Sequence, residues 1–228
     1  MMLVDQKKHY IEGCMISFSG IDCCGKSTQI HLLEELLEKK HQAYEVVWSR
    51  GGYTPGIEFI KRLIRGKTKG STKERIAYSE TINRNSKKRK ILFVSSLIDL
   101  WFFYTITLRL KSFKKIVICD RYIWDTYIDF KMKYPDYEFE NGFWWKAIII
   151  TMVKPDPSFC LFIPAEESMR RSDLKEEPFP EPIEVREKRI AMYINEMKKG
   201  RWDHIINAES SIEEVFKNIY DCLPDSIR

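Results

Sequence analysis

The segment Gly20-Ile21-Asp22-Cys23-Cys24-Gly25-Lys26-Ser27 fits the spacing G-x-x-x-x-G-K-[ST], and it limits the fold more than any other feature of the chain. An apolar run, Cys14 to Phe18, precedes it, and Ile30, Leu32, Leu33, Leu36 and Leu37 follow at helical spacing. Strand, loop and helix therefore stand in the order that a phosphate-wrapping loop requires. Gly20 and Gly25 allow backbone angles closed to other residues, so successive amides turn inward on one anion at the positive end of the following helix. Ile21, Asp22, Cys23, Cys24 and Thr28 complete the cradle. Lys26 is placed to reach the β- and γ-phosphates of a nucleoside triphosphate, and the Ser27 hydroxyl to meet its Mg²⁺.

Short β-branched or aromatic runs recur between helical patterns: Cys14 to Ser19, Tyr44 to Trp48, Ile116 to Cys119, Ser158 to Ile163 and His204 to Asn207. Strand alternating with helix predicts an α/β fold with a mostly parallel sheet covered on both faces. Ligands bind beyond the strand C-termini in such folds, and three clusters follow strand ends here: Gly20 to Ser27, Arg50 to Pro55, and Asp120-Arg121-Tyr122. The 228 residues hold no Pro/Gly/Ser-rich divider, which predicts one domain over residues 1–228.

Charge and cysteine usage narrow the function. The net charge of +5 is concentrated in Arg84 to Lys90 and in Lys61, Arg62, Arg65, Lys67, Lys69 and Lys73. A basic run of this kind reads as a solvated face, so nucleic acid is not an expected partner. The six cysteines include no C-x-x-C pair, and three lie in apolar runs, a reduced and intracellular pattern. The four histidines lack metal-ligand spacing. The first residues, MMLVDQKKHYIEG, lack the apolar core of a signal peptide. Residues 91–110 are apolar nearly all round, with Asp99 in their middle; the reading is a helix buried in the core or at a dimer interface rather than a membrane span, and Phe143 to Val153 reads the same way.

Taken together, several blocks resemble the thymidylate kinase family. Phe18 to Gln29 is similar to its F-E-G-x-D-x-x-G-K-[ST]-T-Q. Thr54-Pro55-Gly56 with Ile57 to Arg65 resembles T-P-x-G and the helix after it, and Leu92-Phe93 falls where the family has L-F-x-A-x-R. Asp120-Arg121-Tyr122 matches D-R-Y, Pro155-Asp156 matches P-D, and Ala208 to Ile219 resembles D-A-x-x-S-I-E-E-V. The resemblance implies a three-layer P-loop kinase fold with five mostly parallel strands. It implies transfer of the ATP γ-phosphoryl group to a nucleoside monophosphate, foremost dTMP, with Mg²⁺, in a cytoplasmic homodimer.

The same resemblance implies roles. Asp22 would accept from the acceptor's 3′-hydroxyl and influence Lys26; Asp120 would hold Mg²⁺ with Ser27; Arg121 and Arg50 would clamp the acceptor phosphate; Phe93 would stack on a base. Residues 169–189 have the composition of a lid. Because position 23 is Cys, where some members carry Arg, the transition-state cation would come from Arg170 or Arg171, with Lys175 or Arg186 behind them. Three departures touch the acceptor side. The Arg of L-F-x-A-x-R falls on Leu97, R-E-P-G-G-T shortens to Arg50-Gly51-Gly52-Tyr53-Thr54, and the Ser of D-R-Y-x-x-S is Asp125. They keep open a P-loop phosphotransferase with another acceptor, or a nucleotide-binding module without turnover.

Overall fold

The structure, a computed structural model, describes residues 14–49, 86–175 and 181–228. Arg50, the Thr54-Pro55-Gly56 block, the cations of 61–73 and Arg84 fall outside the described residues. The chain divides into two compact units, Met1–Trp48 with Leu110–Trp124 and Lys154–Arg228, and Ser49–Arg109 with Asp125–Val153.

The first unit holds the sheet. Its strands are β1 (Met15–Gly20), β2 (Tyr44–Trp48), β3 (Ile116–Asp120), β4 (Ser158–Phe162) and β5 (His204–Asn207). All pairs are parallel and the order is β2-β3-β1-β4-β5. Burial explains why these runs form strands. β1, the central strand, is buried at all six positions, and β3 and β4 at all but their last, so apolar residues dominate them and the few polar ones, Ser17, Ser19 and Ser158, are buried too. The edge strands β2 and β5 alternate more and leave Trp48 and Ile205 exposed. Phe18 stacks on Phe159 across β1 and β4, with ring centroids 5.3 Å apart. The helices of this unit are α1 (Lys26–Lys39), α6 (Ala165–Leu174), α7 (Ile183–Lys198) and α8 (Ile212–Tyr220). Ser211 caps α8 by accepting from the Glu214 amide at 3.2 Å.

In the second unit, α2 (Ser86–Phe102) runs into a π-helical turn (Phe103–Thr107); α3 (Leu108–Ser112) carries the chain into the first unit, α4 (Ile123–Lys133) carries it back, and α5 (Phe143–Thr151) follows. The wider π turn lets Thr105 meet Thr151 at 2.9 Å and Tyr104 accept from the Val153 amide at 3.1 Å, which fastens this stretch to α5 and the residues after it. Residues Arg89–Ser112 are the one stretch among the described residues long and apolar enough to cross a membrane, with 33% of its most apolar window buried. Ile91, Ile98 and Phe102, spaced by seven and four residues, form an exposed stripe on α2.

Candidate functional site

The loop is shaped by its glycines. Gly20 has φ 138°, and a Cβ there would stand 2.4 Å from the Leu161 carbonyl oxygen and 2.8 Å from Cys24 Sγ. No side chain fits. Gly25, the N-cap of α1, has φ 97°, and the first turn of α1 carries no acidic residue, so the partial positive charge of the helix end faces no carboxylate of its own. Lys26 is only 7% exposed and folds back over the loop. Its ammonium donates to the carbonyls of Gly20 at 3.0 Å and Ile21 at 2.7 Å, with Cys24 Sγ at 3.5 Å. Ser27 is open to solvent and Thr28 half-buried.

Strand register brings the second cluster to this loop. Phe18 lies opposite Asp120 across β1 and β3, so the residues that follow the two strands meet. The Arg121 amide donates to the Phe18 carbonyl at 2.8 Å, and the residue takes φ 72°. A left-handed non-glycine residue costs about 1–2 kcal/mol, a strain found where geometry serves a site. The Arg121 guanidinium donates to the Gly20 carbonyl at 3.2 Å and pairs with the Asp22 carboxylate. Tyr193, from α7, donates to the same carbonyl at 3.3 Å. An ammonium, a guanidinium and a phenol thus converge on one neutral oxygen. Of the two cations, Arg121 is balanced by the Asp22 carboxylate, whereas Lys26 meets only neutral acceptors among the described residues, so the cluster has room for a further anion, which suits a polyphosphate.

Asp120 ends β3 and, with Ser27, offers hard oxygen donors. Among the described residues no group of three His, Cys, Asp or Glu side chains could enclose a metal. That donor set suits a Mg²⁺ ion that takes most of its ligands from phosphate oxygens and water.

The cations of α6 divide by position. Arg170 is 62% exposed and grips Glu167 with two hydrogen bonds of 2.7 Å. Arg171 donates to Glu167 at 2.6 Å and to the Ala208 carbonyl at 2.9 Å, and its guanidinium stands 4.0 Å from where a Cβ on Gly25 would lie. Of the two, Arg171 reaches the loop. Hydrogen bonds from Arg170, then from Arg171, hold the Glu167 carboxyl down at about 2. A depressed folded-state pKa contributes stability above the unfolded value, and that contribution is lost as pH falls towards the folded one. The melting-temperature gap between the parent and Glu167→Gln is therefore expected to be full above pH about 4.5 and to narrow as pH falls towards about 2. A gap independent of pH over that window would show that the triad adds nothing.

In the second unit, Phe93 is buried among Phe130, Tyr134, Tyr137 and Phe139, with ring centroids 4.8–5.5 Å away. Arg89, one turn earlier on α2, lies 5.1 Å above the Tyr134 ring and 5.3 Å above that of Tyr137. Leu97 is buried, and Asp125 is buried in the first turn of α4. Ser49, Tyr104 and Thr126 form a buried hydroxyl chain with links of 2.8 and 3.0 Å.

Sequence reasoning missed Tyr193 and Ser168, whose hydroxyls bind loop carbonyls of Gly20 and Asp22. Neither carries a motif. Tyr193 sits in an amphipathic helix where an aromatic reads as core, and Ser168 sits in a charged run. It also missed that Arg121, not Lys26, holds the Asp22 carboxylate.

The sequence pattern of the thymidylate kinase family matches residues 18–219. The chain is 28% identical to a probable thymidylate kinase of Pyrococcus horikoshii, over 92% of this chain and 95% of the relative. It is 31% identical to a probable thymidylate kinase of Thermococcus kodakarensis, over 90% and 94%. A thymidylate kinase of Bartonella henselae is 29% identical over 73% of this chain and 71% of its own length. A parallel five-stranded sheet, a glycine-shaped loop opening α1 and a family match running from Phe18 to Ile219 lead to one conclusion: the chain belongs to the thymidylate kinase family of ATP-dependent nucleotide kinases.

Proposed function

We propose that the protein transfers the γ-phosphoryl group of ATP to dTMP, giving ADP and dTDP. The observation that carries this reading is the convergence of Lys26 and Arg121 on the Gly20 carbonyl, beside the uncapped start of α1. Phosphoryl transfer asks a protein for alignment and charge neutralisation rather than covalent work. The loop amides and Lys26 bind the donor phosphates, and Arg171 adds a cation from the lid, residues 169–189. Arg121 grips the acceptor monophosphate in place of Asp22, which frees the Asp22 carboxylate to accept from an acceptor hydroxyl. Ser27 and Asp120 would hold Mg²⁺, which would add neutralisation of the phosphate oxygens. The protein acts as a cytoplasmic homodimer, and the apolar stripe of Ile91, Ile98 and Phe102 gives a second copy a surface to cover.

A second reading keeps the transfer and changes the acceptor. It is favoured by two buried residues of the second unit, Leu97, which offers no charge to a base, and Asp125, which offers a negative one. A coupled assay of ADP release over a panel of nucleoside monophosphates decides. The largest kcat/KM is expected with dTMP; a larger value for another acceptor replaces the first reading with the second. ATP binding without turnover of any acceptor overturns both.

A further inference from the structure

One buried cation remains outside this account. Arg186, on α7, is 2% exposed, and among the described residues no carboxylate pairs with it. The other buried arginines are compensated: Arg121 by Asp22 and Arg189 by Glu181. Arg186 instead donates to two serine hydroxyls of α6, Ser168 at 2.5 Å and Ser172 at 3.4 Å. Burying a guanidinium against neutral hydroxyls costs free energy that the rest of the fold must offset.

Ser168 is fully buried and donates its proton to the Asp22 carbonyl at 2.9 Å. The direction of this chain is forced: a guanidinium can only donate, a peptide oxygen can only accept, and the hydroxyl between them does both. A hydroxyl that accepts from a cation is also a better donor. The peptide between Asp22 and Cys23 is planar, so fixing its oxygen towards Ser168 turns the Cys23 N–H to the opposite side. Cys23 is the loop residue that most needs holding, because its φ of 61° lies in the left-handed region that a non-glycine residue leaves when released.

We infer that Arg186 and Ser168 are positioning residues that set the orientation of the Asp22–Cys23 peptide in the phosphate loop, and so tie the grip on ATP to α6 and α7. The inference rests on the loop being an ATP site. Arg186 acts through Ser168 and not on the phosphate itself, which separates it from Arg171.

The test uses Ser168→Ala, Arg186→Gln and the double variant of the full chain, with Mg²⁺-ATP binding measured by calorimetry and the KM values of both substrates by steady-state kinetics. Each single variant is expected to weaken Mg²⁺-ATP about tenfold, to leave kcat within about threefold and to leave the acceptor KM unchanged. The double variant is expected to be no weaker than either single one, because the two groups are links of one chain. Arg186→Lys keeps a donor and a charge and is expected to recover most of the affinity; it also replaces Arg186→Gln should that variant fail to fold. Losses that multiply in the double variant, parent-like ATP affinity in a folded Ser168→Ala, or equal losses for both substrates would each overturn the relay alone. A parent protein that ignores Mg²⁺-ATP overturns the ATP site and the relay with it.

Discussion

Replacing Lys26 by Met is expected to lower kcat/KM by about 10³-fold, some 4 kcal/mol of transition-state stabilisation. The argument is geometric. The ammonium is buried, sits 3.0 and 2.7 Å from two loop carbonyls, and has no carboxylate among its hydrogen-bond partners in the described residues. A triphosphate displaces those neutral acceptors with charged ones, so the ammonium binds the developing charge far more strongly than it binds the resting loop. Met matches the stem in length and apolar character while removing the charge. Loss of the two donated bonds also costs stability, on the order of 1–2 kcal/mol, so activity is to be measured well below the variant's own melting temperature. A kcat/KM within tenfold of the parent would remove Lys26 from the chemistry.

Gly20→Ala carries the largest expected effect on folding. The position combines φ 138° with a built Cβ only 2.4 Å from the Leu161 carbonyl oxygen, on the central strands of the sheet. Neither obstacle can yield cheaply: the carbonyl belongs to β4, and the second near atom, Cys24 Sγ at 2.8 Å, is itself buried. Strain in this backbone region and an overpacked core together are expected to exceed about 3 kcal/mol. For a chain of this size that corresponds to a melting temperature lower by roughly 6–12 °C. Calorimetry of the purified variant reads it directly, and a fall of less than 2 °C would mean that β1 and β4 can separate without penalty.

How far the sequence spoke depended on how local the physics was. Tyr44–Trp48 and His204–Asn207 were readable to the residue, because each is a short run built on a β-branched pair, Val46-Val47 and Ile205-Ile206, between helical patterns. Gly20 and Gly25 were readable because a motif with fixed spacing is a statement about backbone angles. The partners of that motif were not. Arg121 pairs with Asp22 across 99 positions only because β3 is laid beside β1, and that neighbour relation comes from the sheet, not from any spacing. The same holds for Ser168 and Tyr193, which reach the loop from helices whose own patterns record only burial. Phe93 shows the converse: a motif position drew attention to it, while its environment is four protein rings. The π turn of Phe103–Thr107 was invisible for a related reason, since one extra residue in a turn leaves an apolar run apolar.

The all-buried β1, laddered on both sides, gives the molecule a built-in gauge of its own integrity. Amide protons of Ile16 and Phe18 can exchange with heavy water only when the whole first unit opens, whereas helix ends fray long before. The loop is rooted in that strand at Gly20, so this root holds through partial fluctuations that leave β1, α6 and α7 in place. Warming should leave the grip on nucleotide nearly constant and then abolish it in one cooperative step, so that catalytic competence and deuterium uptake along β1 collapse at a common temperature.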